Sequence, residues 1–365
     1  MNWITMGLFV FGLAVLMGGA EILVRGASKM ARIWGMPPLL IGLTVVAFGT
    51  SAPEMAISVN SALSHQSEIS LGNVVGSNVF NILVILGVSA LIIPLVVNQQ
   101  LVRWDVPIMI GVSVLVYILG YDHVIDRVEG IVLFGGLILY IWFTIRSSPK
   151  ESPEVREEYV REFGGNSGNR IRLAGSAGLV IGGLVLLVAG ADLMVDNAVI
   201  IATALGLSKM VIGLTIVAIG TSLPEVATSI MAALKGQRDI AVGNAVGSNL
   251  FNMMGVLGLA AMVSSNGVAV SQGALNFDIP VMIAVAMVSL PILFSGHLIS
   301  RVEGAIFVIY YAAYLSFVLQ SAALHDYLES FNGFMLYTVF PITGFIILYS
   351  LISPLWGKKA EKTRN

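Results

Sequence analysis

The sequence has no cysteine, so it can build neither a disulfide framework nor a thiolate metal site. Charge is scarce too: Asp, Glu, Lys and Arg together make up 11% of 365 residues, against roughly 25% in soluble domains. The chain is therefore not a soluble domain. There are four histidines, His65, His123, His297 and His325, and all fall in loops or at the ends of apolar runs. A net charge of −2 offers nothing to a nucleic acid, and no such partner is expected. No basic stretch precedes the first apolar run, which reads as a retained span and not a cleaved signal peptide.

What is abundant is apolar: 57% of the residues are hydrophobic and the mean hydropathy is +0.90. The apolar runs are about 18–26 residues long, the length of membrane-crossing helices; barrel strands need roughly 9–11 alternating residues. The expected class is an all-α polytopic membrane protein. Eleven spans are expected, at roughly 3–25, 38–63, 70–93, 104–120, 128–146, 173–195, 209–233, 240–263, 277–294, 303–320 and 334–353. The longest polar interruption, Ser147 to Arg170, carries Pro, Gly and both charge signs, and reads as a solvated linker.

Basic residues favour cytoplasmic loops. With the N-terminus outside and the C-terminus inside, every basic residue of the 19 except Arg127 and Lys209 faces the cytoplasm. The opposite orientation reverses that bias.

The sequence also repeats itself. GLTVVAFGTSAPE (Gly42–Glu54) returns as GLTIVAIGTSLPE (Gly213–Glu225), and GNVVGSNVFN (Gly72–Asn81) returns at the same offset as GNAVGSNLFN (Gly243–Asn252). GGAEILV at Gly18 matches AGADLMV at Ala189. With small gaps, WDVPIMI at Trp104 matches FDIPVMI at Phe277, and RVEG recurs at Arg127 and Arg301. Each half holds five spans, an odd number, so equivalent spans should cross in opposite directions. The expected division is a first five-span repeat at 1–146, a cytoplasmic linker at 147–172, and a second, inverted repeat at 173–320. Residues 321–365 then add one span and a basic cytoplasmic tail. Inverted repeats of this kind are the architecture of secondary transporters, with the substrate site near the midplane between the halves. The best-matched positions are polar and lie within the spans, which packing alone does not require.

The first motif spaces Thr50, Ser51 and Glu54, and again Thr221, Ser222 and Glu225, so that one helical turn would gather two hydroxyls and a carboxylate on one face. Pro53 and Pro224 lack the N–H that the preceding turn needs, so a break is expected there. Carbonyls freed inside a membrane must be satisfied by something, and a cation can do so. The second motif contributes Ser77, Asn78 and Asn81, with Ser248, Asn249 and Asn252 as counterparts. Two carboxylates, amides, hydroxyls and carbonyls form a hard-oxygen set suited to Ca²⁺ or Na⁺ and not to zinc or copper. Two glutamates match the charge of one Ca²⁺ or two Na⁺.

The pair G-T-S-x-P-E and G-S-N-x-F-N, present twice, resembles the α-repeats of the cation/calcium exchanger superfamily, in particular prokaryotic sodium/calcium antiporters. The resemblance covers both five-span halves and leaves out the linker and span eleven. It implies an antiporter of the prokaryotic plasma (inner) membrane that exchanges Ca²⁺ for Na⁺ by alternating access. A single chain would suffice, with lipid around it and no cofactor beyond the transported ions. It further implies a ligand set: Glu54 and Glu225 shared by both ions, and Asn81 and Asn252, each 27 residues after its glutamate. Hydroxyls would come from Thr50, Ser51, Ser77, Thr221, Ser222 and Ser248, and backbone carbonyls from Ala47 and Ala218. Proton-coupled members usually carry G-N-x-x-E in the second motif, which favours sodium here; Ca²⁺/H⁺ exchange is the alternative. Asn stands in both halves where potassium-dependent members tend to carry one Asp, which argues against potassium dependence.

Other polar residues have plainer readings. Glu21 and Arg25, one turn apart, read as an ion pair at a helix end, with Asp192 matching Glu21. Arg127, Glu129, Arg301 and Glu303 open helices, where carboxylates suit the N-terminus. Asp105 and Asp278, two residues before proline, read as helix-start signals. The many Gly and Ala of spans one and six suit close helix packing. Asn78 and Asn249 could either touch an ion or hold a broken segment. An intramembrane hydrolase is not supported, because the spans hold no histidine and no HExxH set, and no enzyme activity is expected. A channel could also be lined by polar residues, but inverted halves favour alternating access.

Overall fold

The structure is a computed structural model that describes residues 3–34, 36–64, 66–147, 169–204, 218–294 and 298–323. Span eleven, most of the linker and the start of span seven lie outside the described residues. The helices are α1 (Trp3–Trp34), α2 (Pro38–Thr50), α3 (Ala52–Leu63), α4 (Ser67–Ile92), α5 (Leu101–Asp122) and α6 (Arg127–Ser147). The second half supplies α7 (Asn169–Ala204), a single turn α8 (Ala218–Gly220), α9 (Leu223–Leu234), α10 (Arg238–Val263), α11 (Ile279–Phe294) and α12 (Arg301–Ala323). Six described helices are long and apolar enough to cross a membrane, and α2 with α3 makes a seventh span bent by 46°. Pro53 sits in the first turn of α3, so the expected break falls at Ser51.

Burial divides the helices into two groups. In α4 and α10, 72% and 83% of the apolar stretch is buried, against 33% in α1 and 28% in α7. One apolar cluster joins Val79 and Ile85 of α4, Met109 of α5, Leu250 of α10, Ile279 of α11 and Phe307 of α12. A second joins Leu16, Ala20 and Leu23 of α1 to Val180 and Leu187 of α7, and reaches Ile41 of α2 and Ala232 of α9. Exposed Trp3, Phe11, Ile138, Leu139 and Ile181 point away from both, as lipid-facing side chains should.

The α1–α7 seam rests on glycine. A Cβ at Gly19 would lie 2.7 Å from the Leu187 amide nitrogen, and one at Gly183 would lie 2.6 Å from that of Leu23. The two backbones therefore touch, and larger side chains cannot be accommodated between them. This is the packing role expected of the small residues in spans one and six.

Two short antiparallel strand pairs tie loops together. β1 (Leu95–Val96) pairs with β4 (Leu298–Ile299), and β2 (Val124–Ile125) pairs with β3 (Val268–Ala269). Each pair joins a loop of the first half to a loop of the second. The Arg127 guanidinium donates to the Ser264 carbonyl and that of Arg301 to the Ile92 carbonyl, both at 3.4 Å. Asp126 and Glu129 form a reciprocal cap, each backbone N–H donating to the other's side chain, as do Ser300 and Glu303. These four charged residues are structural, in line with the sequence reading.

Candidate functional site

The break at Ser51 changes what the first motif presents. A continuous helix would stack Thr50, Ser51 and Glu54 on one face, and here the structure corrects the sequence reading. The Ser51 hydroxyl turns away from Glu54 and donates to Glu225 Oε1 at 3.1 Å. The Ser222 hydroxyl does the reverse and donates to Glu54 Oε1 at 3.0 Å. Each glutamate is thus held by the serine of the other half. Both carboxylates are buried, at 1% and 0% exposure, and Oε2 of each has no hydrogen-bond partner among the described residues.

The remaining motif residues surround this pair. Ser77 Oγ lies 3.2 Å from Ser222 Oγ. Thr50 Oγ1 lies 3.1 Å from Asn244 Oδ1 and 3.4 Å from the Ala47 carbonyl oxygen. That carbonyl also accepts the Ser51 N–H at 3.0 Å. Thr221 is half-buried beside Ser222. Ala218 opens the turn α8. Asn81 and Asn252 sit where α4 and α10 each widen into a π-helical turn, Asn81–Leu86 and Phe251–Val256. Such turns displace the helical register and re-aim side chains, often at functional sites. Asn81 donates to Asn249 Oδ1 at 3.0 Å; among the described residues its own Oδ1, both amide atoms of Asn252 and Ser248 Oγ have no partner.

The amide nitrogens of Asn78 and Asn249 make packing contacts, while Asn78 Oδ1 has no partner among the described residues. Their amide groups meet the sulfurs of Met282 and Met109, each at 3.5 Å, and Asn249 also donates to the Asn78 carbonyl at 3.2 Å. The sequence reading missed Asn73 and Asn244. Asn73 donates to the Glu54 carbonyl at 3.2 Å and to Ser58 Oγ at 3.0 Å; Asn244 donates to the Glu225 carbonyl at 3.3 Å and to Ser229 Oγ at 2.9 Å. They fix the first turn after each break. The available signal was their position one helical turn before Ser77 and Ser248, in both copies of the motif.

Asp105 and Asp278 do not cap helices through their side chains. Tyr140 donates to Asp105 at 2.9 Å and Tyr314 to Asp278 at 3.3 Å, because each aspartate closes a π-helical turn that points it sideways into the next helix pair. Glu21 pairs with Arg25 as expected, and also with Lys235 at 3.0 Å. Among the described residues no three His, Asp or Glu side chains converge. The site therefore consists of two carboxylates and neutral oxygens. Buried carboxylate oxygens without partners are costly, and a bound cation is the simplest thing that satisfies them.

Comparison with known proteins agrees with this chemistry. A family model described as sodium/calcium exchanger protein matches residues 4–146 and 175–320. The chain is 35% identical over 287 residues to the inner membrane protein YrbG of Escherichia coli (strain K12), covering 77% of this chain and 86% of that one. It is 33% identical over 347 residues to the sodium/calcium exchanger MaX1 of Methanosarcina acetivorans, covering 84% and 96%. The fold is similar to the solved sodium-calcium exchanger NCX_Mj soaked with 10 mM Na⁺ and zero Ca²⁺, with a TM-score of 0.74 and 29% identity, over 89% of this chain and 100% of that one. The chain, an integral membrane protein, belongs to the sodium/calcium exchanger protein family of cation antiporters.

Proposed function

We propose that the chain exchanges Ca²⁺ for Na⁺ by alternating access, at a single midplane site shared by two inverted five-span halves. Glu54 and Glu225 are the common ligands. Asn81, Asn252, Ser77, Ser248, Thr50, Ser51, Thr221 and Ser222 add neutral oxygens, and the carbonyls of Ala47 and Ala218 serve the flanking sodium positions. One observation carries this reading: each buried glutamate is held by the other half's serine and keeps one oxygen unpartnered. The site is incomplete in either half alone, and its two negative charges match one Ca²⁺ or two Na⁺. With no sulfur or imidazole in the set, hard cations are favoured.

Orientation follows the basic residues, with the N-terminus outside and the C-terminus in the cytoplasm of a prokaryotic inner membrane. The strand pairs fit the alternation of spans, since each joins loops that the span count puts on one face; in the proposed orientation β1 and β4 lie on the cytoplasmic face, and β2 and β3 on the outer face. Calcium uptake into proteoliposomes tests the coupling. An outward sodium gradient should drive uptake, and a proton gradient of equal size should not. Uptake driven by protons alone would make the chain a Ca²⁺/H⁺ antiporter.

A further inference from the structure

The two aspartate–tyrosine pairs are sequence equivalents in unequal surroundings. Asp105 is 1% exposed and sealed between α5 and α6. Asp278 is half-buried and lines a cavity of about 420 Å³ together with Gly72, Gly76, Ser77, Thr221 and Tyr314. The same cavity therefore touches Asp278 at one place and two residues of the candidate ion site at another. Ser77 is the link inward, since it lies 3.2 Å from Ser222, which holds Glu54.

The corresponding face of α10 is covered by α2, whose counterpart in the second half lies mostly outside the described residues. A Cβ at Gly243 would lie 2.9 Å from the Leu39 carbonyl, and one at Gly247 would lie 2.8 Å from Ala47 Cβ. There α2 lies directly on the helix. In the proposed orientation the Asp278 cavity lies toward the outer face and the sealed Asp105 toward the cytoplasm.

We propose that Asp278 is the outer staging residue of the transport path: a fixed carboxylate that draws a divalent cation into the cavity before it reaches Glu54 and Glu225. Asp105 has the same role on the cytoplasmic side when that face opens. The cavity walls are mostly apolar (Ile57, Ile69 and Leu315 among them), and low-dielectric walls focus the field of a single carboxylate along the path. The Tyr314 hydroxyl donates to Asp278 Oδ1 at 3.3 Å and so aims the carboxylate. A divalent ion feels that charge twice as strongly as Na⁺ does, so the residue sets sidedness and ion preference at entry without belonging to the binding site.

This inference rests on the exchange reading above, and the test separates the two. Sodium-driven Ca²⁺ uptake is measured in right-side-out and inside-out vesicles. Asp278→Asn should raise half-saturating Ca²⁺ about three- to tenfold at the outer face only, with the maximal rate unchanged. Asp105→Asn should do so at the cytoplasmic face only, and Asp278→Glu should restore wild-type values. In wild type, half-saturation at the outer face should rise with added choline chloride, as screening of a fixed charge demands. A salt-independent value overturns the inference without any variant. So does an Asp278→Asn effect that is absent, or equal at both faces as expected of a purely structural anchor. Wild-type vesicles that show no exchange would instead overturn the function on which the inference rests.

Discussion

Replacing Glu54 by Gln should invert the order of stability between wild type and variant, depending on whether calcium is present. Glu54 is 1% exposed, accepts one bond from Ser222 and has a second oxygen with no partner among the described residues. Such an atom costs about 1–3 kcal/mol, and more when it carries charge. Glutamine keeps the shape and the Ser222 bond and removes the charge, so the variant should be more stable than wild type by about that amount in chelator. With calcium the sign changes. A unit charge and a divalent ion about 4 Å apart at an effective dielectric near 20 are worth about 8 kcal/mol. Losing one glutamate charge should then weaken Ca²⁺ binding by several orders of magnitude. At 100 times the wild-type Kd, calcium stabilises wild type by about 2.7 kcal/mol; at the same concentration the variant gains almost nothing. Thermal unfolding in detergent, with chelator and with calcium, reads both effects. A variant less stable than wild type in chelator, or one that calcium stabilises as much as wild type, refutes the reasoning.

Calcium flux should continue undiminished in potassium-free buffer on both sides, because Asn81 and Asn252 are both neutral; ⁴⁵Ca uptake with and without K⁺ checks this. Gly19→Ala places a methyl 2.7 Å from the Leu187 amide, whereas at Gly18 no atom of the described residues lies within 4 Å of an added Cβ. Gly19→Ala should therefore destabilise the protein by about 1–3 kcal/mol and impair exchange, and Gly18→Ala should do neither, as read by unfolding and uptake. Spin labels at Gly18 and Ala189 should keep their mutual distance between sodium- and calcium-loaded states while both move relative to a label on α9. A fixed distance to α9, with the separation of α3 and α9 changing by several ångströms, would favour rocking halves.

The fold class and the polar residues of the core were legible because both are local signals. Apolar run length marks helices, and the repeated motif marks Glu54, Glu225, Asn81 and Asn252 without any knowledge of contacts. The partners were not legible. Spacing rules assume an unbroken helix, and the break at Ser51 sends that serine to a glutamate 174 residues away. The bonds of Tyr140 to Asp105 and of Tyr314 to Asp278 follow π-helical turns, and the aromatic–Asp pair that ends both LVRWD and ALNFD does not by itself announce such a turn. Asn73 and Asn244 were within reach, since both copies of the motif carry them one turn before a serine already singled out.

The strand pairs bear on how the molecule can move. β1 with β4, and β2 with β3, pin loops of the two halves together, one pin at each end of the core, and neither pin involves α1 or α7. Swinging one half against the other would have to break ladder bonds, each worth about 0.5–1.5 kcal/mol, at one end or the other. Carrying α1 and α7 past the core as a glycine-welded unit breaks none of them. It slides the apolar contacts with Ile41 of α2 and Ala232 of α9 and parts one half-buried ion pair, Glu21 with Lys235. The pins act as a brake on rocking and leave the glide of the outer pair free.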